Sequence, residues 1–262
     1  MATIRYDYSG QVVLVSGAGS GIGRAIALAF AETGATVAVA DISAAAADAT
    51  VEQIRQAGGK AAAFVADVAD EAAVISLVDA LLVTFGRLDM AINNAGIEAN
   101  VVPLAELDSA NWRRVCDVNL SAVFYAMKAQ IPVMTRQGKG VIVNTASISG
   151  VMGGYNLAAY TATKHGVVGM TKAAAMDYAD KGLIRINAIC PGLVDTPFIA
   201  GLPAPVRDRL VNGIPMRRPA QASEIANAVL WLCSDDASYV TGHAMIVDGG
   251  ASLGGEATRF DI

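Results

Sequence analysis

Tyr160 and Lys164 stand four residues apart in Ala159-Tyr160-Thr161-Ala162-Thr163-Lys164, and Ser147 closes an apolar run shortly upstream. Side chains at i and i+4 project from one helix face, so a helix here sets an ammonium beside a phenol. Nearby positive charge favours a phenolate, which lets a tyrosine act as acid or base below its usual pKa of about 10. By itself this spacing also describes an ordinary surface helix pair. A glycine-rich turn at the head of the same chain makes it specific.

That turn is Ser16-Gly17-Ala18-Gly19-Ser20-Gly21-Ile22-Gly23, placed between a first apolar run and a first helix. Small residues there let the backbone approach a pyrophosphate, and a helix N-terminus supplies amides and partial positive charge. Gly17, Gly21 and Gly23 form G-x-x-x-G-x-G, not G-x-G-x-x-G. No Lys-Ser or Lys-Thr follows, which disfavours a nucleoside-triphosphate loop. Asp41 comes roughly 20 residues later, after the second apolar run, where a carboxylate can bind both adenosine-ribose hydroxyls and repel a 2′-phosphate. No Arg or Lys stands in residues 38–49 to offset it. The pattern therefore predicts NAD in preference to NADP, with helix capping as the plain alternative for Asp41. Together with Tyr160 and Lys164, it points to an oxidoreductase.

Elements able to position these groups are legible as short β-like runs alternating with amphipathic helices, the pattern of a parallel sheet covered on both faces. Strands are expected at 11–16, 36–40, 61–65, 88–92, 141–145, 185–189 and 244–247. Helices are expected at 22–33 with Gly34 as its stop, at 44–56, in a segment ending near Phe85-Gly86, and around Tyr160. Ser109 is expected to cap a long helix running past Asn119 and Lys128, with Pro132 bending or ending it. No composition break, linker or repeat marks a second domain. The expected fold class is α/β, a single-domain Rossmann fold over residues 1–262, with a doubly wound seven-stranded parallel sheet. Residues 191–219, rich in proline and glycine with a short helix near 206–211, would leave the carboxyl edge of the sixth strand, where such sheets bind ligands. We read them as a substrate lid.

Composition narrows the function classes. A net charge of −5 with only the short pairs Arg113-Arg114 and Arg217-Arg218 argues against a nucleic-acid partner. No run approaches about 18 apolar residues, so no membrane span is expected. The first residues lack the apolar core of a signal peptide, which makes the cytoplasm the expected location. Cys116, Cys190 and Cys233 lack metal-site spacing and His165 and His243 are too few, so no metal site is expected.

Assembled in order, these residues resemble the short-chain dehydrogenase/reductase family from Val12 to about Leu253. The glycine loop matches its T-G-x-x-x-G-I-G with Ser16 in place of threonine. Asn93-Asn94-Ala95-Gly96 matches N-N-A-G, Asn119 falls in V-N-L, Ser147 follows the fifth strand, Tyr160 and Lys164 form Y-x-x-x-K, and Pro191-Gly192 matches P-G. The resemblance implies a homotetramer and a catalytic set of Asn119, Ser147, Tyr160 and Lys164. Tyr160 would be the general acid or base, Ser147 would hold the substrate oxygen, and Asn119 would support a proton-carrying water. Lys164 would hold the nicotinamide ribose and depress the Tyr160 pKa. Cofactor contacts are implied for Gly17, Ser20, Gly21, Ile22, Gly23, Asp41, Asp67, Val68, Asn94, Ala95, Gly96, Tyr160, Lys164, Pro191, Gly192, Val194 and Thr196, Asp67 and Val68 at the adenine, Val194 and Thr196 at the carboxamide. Plainer roles exist for some: Asp67 as a helix cap, Thr196 as part of the Asp195-Thr196-Pro197 turn, His165 and Cys190 as structural.

The expected activity is interconversion of a secondary alcohol and a ketone. Competing readings are a 3-oxoacyl-carrier-protein reductase, which Asp41 disfavours because biosynthetic reductases usually use NADPH, a nucleotide-sugar epimerase, whose relatives are longer, and a non-catalytic NAD-binding regulator. The substrate is expected to be small to medium and mainly apolar. Leu193, Phe198, Ile199, Leu202, Val206, Leu210 and Ile214 of the lid, Met216 beyond them, and Val151, Met152 and Leu157 near Ser147 supply apolar surface. Arg207, Arg209, Arg217 and Arg218 offer the rival, an acidic substrate.

Overall fold

A computed structural model describes residues 6–180, 184–196, 199, 201 and 204–254. Seven strands, β1 (Val12–Ser16), β2 (Thr36–Asp41), β3 (Lys60–Val65), β4 (Met90–Asn93), β5 (Gly140–Thr145), β6 (Ile184–Pro191) and β7 (Ala244–Val247), form one parallel sheet in the order β3-β2-β1-β4-β5-β6-β7. The strand order reverses between β1 and β4, and that crevice at the carboxyl edge is where such sheets receive ligands.

Alternation along the strands decides which helices cover which face. Val13, Val15, Val37, Val39 and Ile92 point to one side, where they pack with Ile26 and Phe30 of α1 (Gly21–Glu32), Val51 and Ile54 of α2 (Ala44–Gln56), and Ile225 and Val229 of α8 (Ala222–Cys233). Leu14, Ala38, Ala40, Ala91 and Ile142 point to the other. There they meet Leu77 and Leu81 of α3 (Glu71–Phe85), Ile131 and Met134 of α5 (Ala122–Gln137), and Val167 of α6 (Ala158–Tyr178). Phe30, with no exposed surface, alone gains about 1.5 to 3 kcal/mol from leaving water. The expected single Rossmann domain is the observed one.

The long central helix is corrected in three respects. Its cap is Asp108, whose Oδ2 accepts from the amides of Ala110 and Asn111, both at 3.0 Å, while Ser109 is the first helical residue. A carboxylate one position earlier captures the two free amides first. The helix is also not continuous: α4 (Ser109–Cys116) passes into a π-helical turn, Asp117–Ser121, before α5. Pro132 lies inside α5 without ending it, and the helix stops at Gly138, where φ is +81°.

Within 191–219, α7 spans Ala204–Asn212 and buries none of its residues, while Ile199 and Ile214 are buried. Phe198, Leu202 and Pro197 lie outside the described residues.

Candidate active site

The glycine loop is held by its neighbours before any ligand arrives. Gly17 and Gly21 adopt φ of +63° and +51°, and a Cβ on Gly23 would sit 2.1 Å from the Gly17 carbonyl oxygen. These positions need glycine for the backbone to fold back on itself. The Ser16 hydroxyl accepts from the amides of Asn94 at 3.0 Å and Ala95 at 3.2 Å, while Asn94 Nδ2 donates to the Ser16 carbonyl at 3.1 Å. Thr145 Oγ1 donates to Asn94 Oδ1 at 3.3 Å. The Asn94 side chain and the amides of Asn94 and Ala95 are therefore spent on joining the ends of β1, β4 and β5, which fixes the segment 94–96 beside the glycine loop.

Asp41 closes the loop from the other side. Its Oδ2 accepts from the Gly19 amide and its Oδ1 from the Ser43 amide, both at 2.9 Å. Ser43, not Asp41, caps α2. Two residues missed by sequence reasoning brace this arrangement: Arg24 donates to the Gly19 carbonyl and to Thr50 Oγ1, and Thr50 donates to the Ala18 carbonyl. Their only sequence signal was a basic residue in the first helical turn. Ser20 begins α1 without a side-chain cap bond, so Gly21, Ile22 and Gly23 present their amides outward.

The adenine-side candidates are also free of capping duty. Asp70, not Asp67, caps α3, accepting from Ala72 and Ala73. Exposed Asp67 spends one oxygen on the Ala69 amide. Val68 lines a small cavity with Ser16 and Ala95. At the other end, β6 stops at Pro191 and the Gly192 amide donates to the Val247 carbonyl at 2.9 Å. Val194 pairs with Ala220, and a methyl added at Gly21 would lie 3.8 Å from Thr196 Cγ2. Residues 191–196 thus cross toward the glycine loop.

Ser147, Tyr160 and Lys164 come together at the ends of β5 and β6. Ser147 is buried at the end of β5, its hydroxyl accepting from the Ser149 amide at 3.1 Å. One turn of α6 puts the Lys164 ammonium over the Tyr160 ring, 5.5 Å from its centroid. Lys164 is 4% exposed and donates to the Thr145 carbonyl at 2.8 Å, its only protein acceptor among the described residues. Desolvation lowers its pKa from 10.5 to about 8, against the carboxylate of Glu98 and the thiol of Cys190, which raise it.

The expectation that Lys164 depresses the Tyr160 pKa is not met. Burial first, then the Glu98 carboxylate, push Tyr160 up to about 12, and only the Ser147 hydroxyl works the other way. The reason is geometric: the ammonium is drawn to a β5 carbonyl and lies over the ring, and the phenol loses more hydration than that cation returns.

Asn119 sits in the π-turn with no exposed surface. Its Oδ1 accepts from the Ile97 amide and its Nδ2 donates to the Ile97 carbonyl, each at 2.8 Å. The side chain clamps the irregular segment that follows β4, so a water held by Asn119 would have to use its main chain. His165 faces away and contacts the Thr161 carbonyl. Cys190 is fully buried beneath Lys164 and Ser147 and its thiol is pushed up to about 11 by burial. Of the lid arginines, Arg218 pairs with Glu224 at 2.6 Å and Arg217 donates to the Asn212 carbonyl at 2.6 Å. No group of His, Cys, Asp or Glu among the described residues is arranged to hold a metal, and no described helix is long and apolar enough to cross a membrane.

Two observations fit a dinucleotide: a cradle that tolerates no Cβ at Gly23, and a buried ammonium with a single acceptor that has capacity for a diol. Gly17 to Gly23, Asp41 and Lys164 could hold one. Residues 17–252 match the family model described as "Enoyl-(Acyl carrier protein) reductase". The chain is 48% identical over 242 residues to a cyclohexanol dehydrogenase of Acinetobacter sp. (strain SE19), covering 92% of this chain and 95% of that one. It is 44% identical over 243 residues to a cis-4-hydroxycyclohexanecarboxylate dehydrogenase of Sinomonas cyclohexanicum, covering 93% and 97%. Among solved structures, NAD+-bound xylitol dehydrogenase superposes with a TM-score of 0.89 at 36% identity, covering 93% of this chain and 99% of that one.

Proposed function

The chain belongs to the short-chain dehydrogenase/reductase family of oxidoreductases, and from that premise we propose that it interconverts a cyclic secondary alcohol and its ketone with NAD(H). The observation that carries this reading is the buried Lys164 ammonium, poised over Tyr160 with Ser147 alongside and one protein acceptor to its name. A relative of similar length is named for cyclohexanol, and a structural neighbour is named as NAD+-bound.

In this reading Ser147 donates to the substrate oxygen and stabilises the charge that grows there. Tyr160 takes the hydroxyl proton as the alcohol is oxidised and returns one when the carbonyl is reduced. Lys164 directs its remaining protons to a ribose diol, and Asn119 fixes the backbone over both through Ile97. A bound nicotinamide supplies the hydride acceptor or donor. Asp41, held in place by the Gly19 and Ser43 amides, takes the adenosine-ribose hydroxyls and repels a 2′-phosphate. The described residues 204–219 would cover the substrate, with exposed Val206, Leu210 and Met216 as the surface available for that contact.

The experiment is direct: cyclohexanol is added to the protein with NAD or NADP, and absorbance of the reduced nicotinamide is followed. Turnover with NAD, weaker turnover with NADP and loss of both in Tyr160→Phe are expected. Equal or faster turnover with NADP would remove the cofactor assignment, and no turnover with any secondary alcohol or ketone would remove the activity.

A further inference from the structure

Glu98 is the one carboxylate among the described residues whose charge acts on both Tyr160 and Lys164, and the mechanism above gives it no task. The segment that carries it is fixed over the site at several points. Ile97 is clamped at amide and carbonyl by Asn119, at 2.8 Å each. The Asn100 amide donates to Asn111 Oδ1 at 3.1 Å, and the Val102 amide to the Asn156 carbonyl at 3.1 Å. On either side of Glu98, Ile97 and Ala99 pack in one small cluster with Ala159 and Tyr160. Two residues before it, a methyl added at Gly96 would lie 3.7 Å from Lys164 Nζ. The side chain of Glu98 reaches solvent, yet its carboxyl is desolvated enough for its pKa to be raised, and it forms no ion pair among the described residues. The segment is therefore tethered beside the site, and the Glu98 carboxylate acts on Lys164 at a distance without an ion-pair contact among the described residues.

Resting on the alcohol and ketone reading above, we propose that Glu98 is the specificity-determining residue that makes this site take uncharged substrates and turn away their carboxylated analogues. An anionic substrate has to bring its carboxylate past a fixed like charge into a partly dry pocket. A repulsion of about 1.4 kcal/mol between such charges corresponds to about tenfold in kcat/KM. Among the described residues, no cation forms an ion pair with Glu98. Lys164 is the ammonium at the centre, and Glu98 already offsets its charge. Arg218 is held by Glu224, and the Arg217 guanidinium is turned to the Asn212 carbonyl. The charged groups that face Tyr160 and Lys164 are thus Glu98 from the segment after β4, with the neutral Ser147 hydroxyl and the Cys190 thiol from the strand ends.

The same carboxylate leaves a second signature. It raises the Tyr160 pKa, so its removal moves the pH at which alcohol oxidation accelerates to a lower value, a shift that a merely structural role would not produce.

The test measures kcat/KM for cyclohexanol and for 4-hydroxycyclohexanecarboxylate with saturating NAD, in the wild type, Glu98→Gln and Glu98→Asp. The wild type and Glu98→Asp should favour cyclohexanol, while Glu98→Gln should shift the carboxylate-to-neutral ratio upward by about tenfold. Salt should narrow the wild-type ratio and leave that of Glu98→Gln unmoved. With cyclohexanol turnover present in the wild type, an unchanged ratio in Glu98→Gln overturns the proposal, and so does a wild type that prefers the carboxylate. A wild type that turns over neither alcohol nor the matching ketone overturns the activity reading itself, and the proposal with it.

Discussion

Replacing Lys164 with methionine separates the ammonium's value to the site from its cost to the fold. Lys164 is 4% exposed, donates to the Thr145 carbonyl at 2.8 Å, and has its pKa lowered from 10.5 to about 8, chiefly by desolvation. Between those two pH values the unfolded chain binds a proton that the folded chain has released, so stability rises with pH across that window. At about 1.36 kcal/mol per pKa unit, the interval is worth roughly 3 kcal/mol. Below pH 8 both states are protonated and the full cost of the buried charge is present. Above 10.5 both are neutral and the cost is gone. Lys164→Met keeps the length of the side chain without the charge. It also leaves the Thr145 carbonyl without its donor, a loss of about 1 to 3 kcal/mol that does not vary with pH. Urea unfolding of both proteins without cofactor, from neutral pH to about 10.5, gives the difference between them. The Cys233 thiol, which burial pushes to about 12, titrates alike in both proteins and cancels, while the Cys190 thiol, coupled to Lys164 and pushed to about 11, titrates above the window measured. The wild type should gain about 3 kcal/mol on Lys164→Met as the pH rises. A flat difference refutes the reasoning, and a falling one shows that the folded protein stabilises the ammonium.

Three further substitutions address the other parts of the site. Tyr160→Phe should lower kcat by about 10² to 10⁴ while NAD affinity, read by fluorescence titration, stays within a few-fold; near-normal turnover would remove Tyr160 as the proton-transfer group. Asp41→Ala removes the acceptor of the Gly19 and Ser43 amides. Its kcat/KM with NAD should fall and the NAD-to-NADP ratio narrow by about tenfold or more, and an unmoved ratio would clear Asp41 of any part in cofactor choice. Gly23→Ala forces a methyl to 2.1 Å from the Gly17 carbonyl oxygen and 2.6 Å from Asn94 Nδ2. Its Tm should drop by about 10 °C with loss of cofactor binding, and a wild-type Tm would show that the loop has room to give.

The strands and the doubly wound class were legible because short runs such as Val12 to Ser16 are apolar at nearly every position, as strands buried on both faces must be, and alternate with amphipathic helices. The glycine loop, Asp41 and the Tyr160–Lys164 pair were legible because their chemistry depends on spacing within one turn or one strand-to-helix junction. Less of the central helix could be read. Asp108 and Ser109 are adjacent and both good caps, so only the backbone decides between them. The π-turn at Asp117–Ser121 inserts an extra residue where the sequence shows an ordinary helical pattern, and that insertion is what brings Asn119 against Ile97. Arg24 and Thr50 brace the loop from elements whose contact no local pattern announces.

The protonation state of the site was the deepest miss, and its cause lies in comparing near and far effects. Spacing puts a cation beside a phenol and so argues for a low tyrosine pKa. Folding adds two influences that spacing does not contain: loss of water around the ring, and a carboxylate carried in by the segment after β4. Both act to keep Tyr160 protonated, while burial drives Lys164 toward its neutral form. Each group of the pair is thus pushed away from the charge that the helix alone would give it. A phenol is the form that donates to a carbonyl oxygen. Alcohol oxidation needs the phenolate, and so needs either a higher pH or added positive charge near the phenol to offset what burial and Glu98 impose.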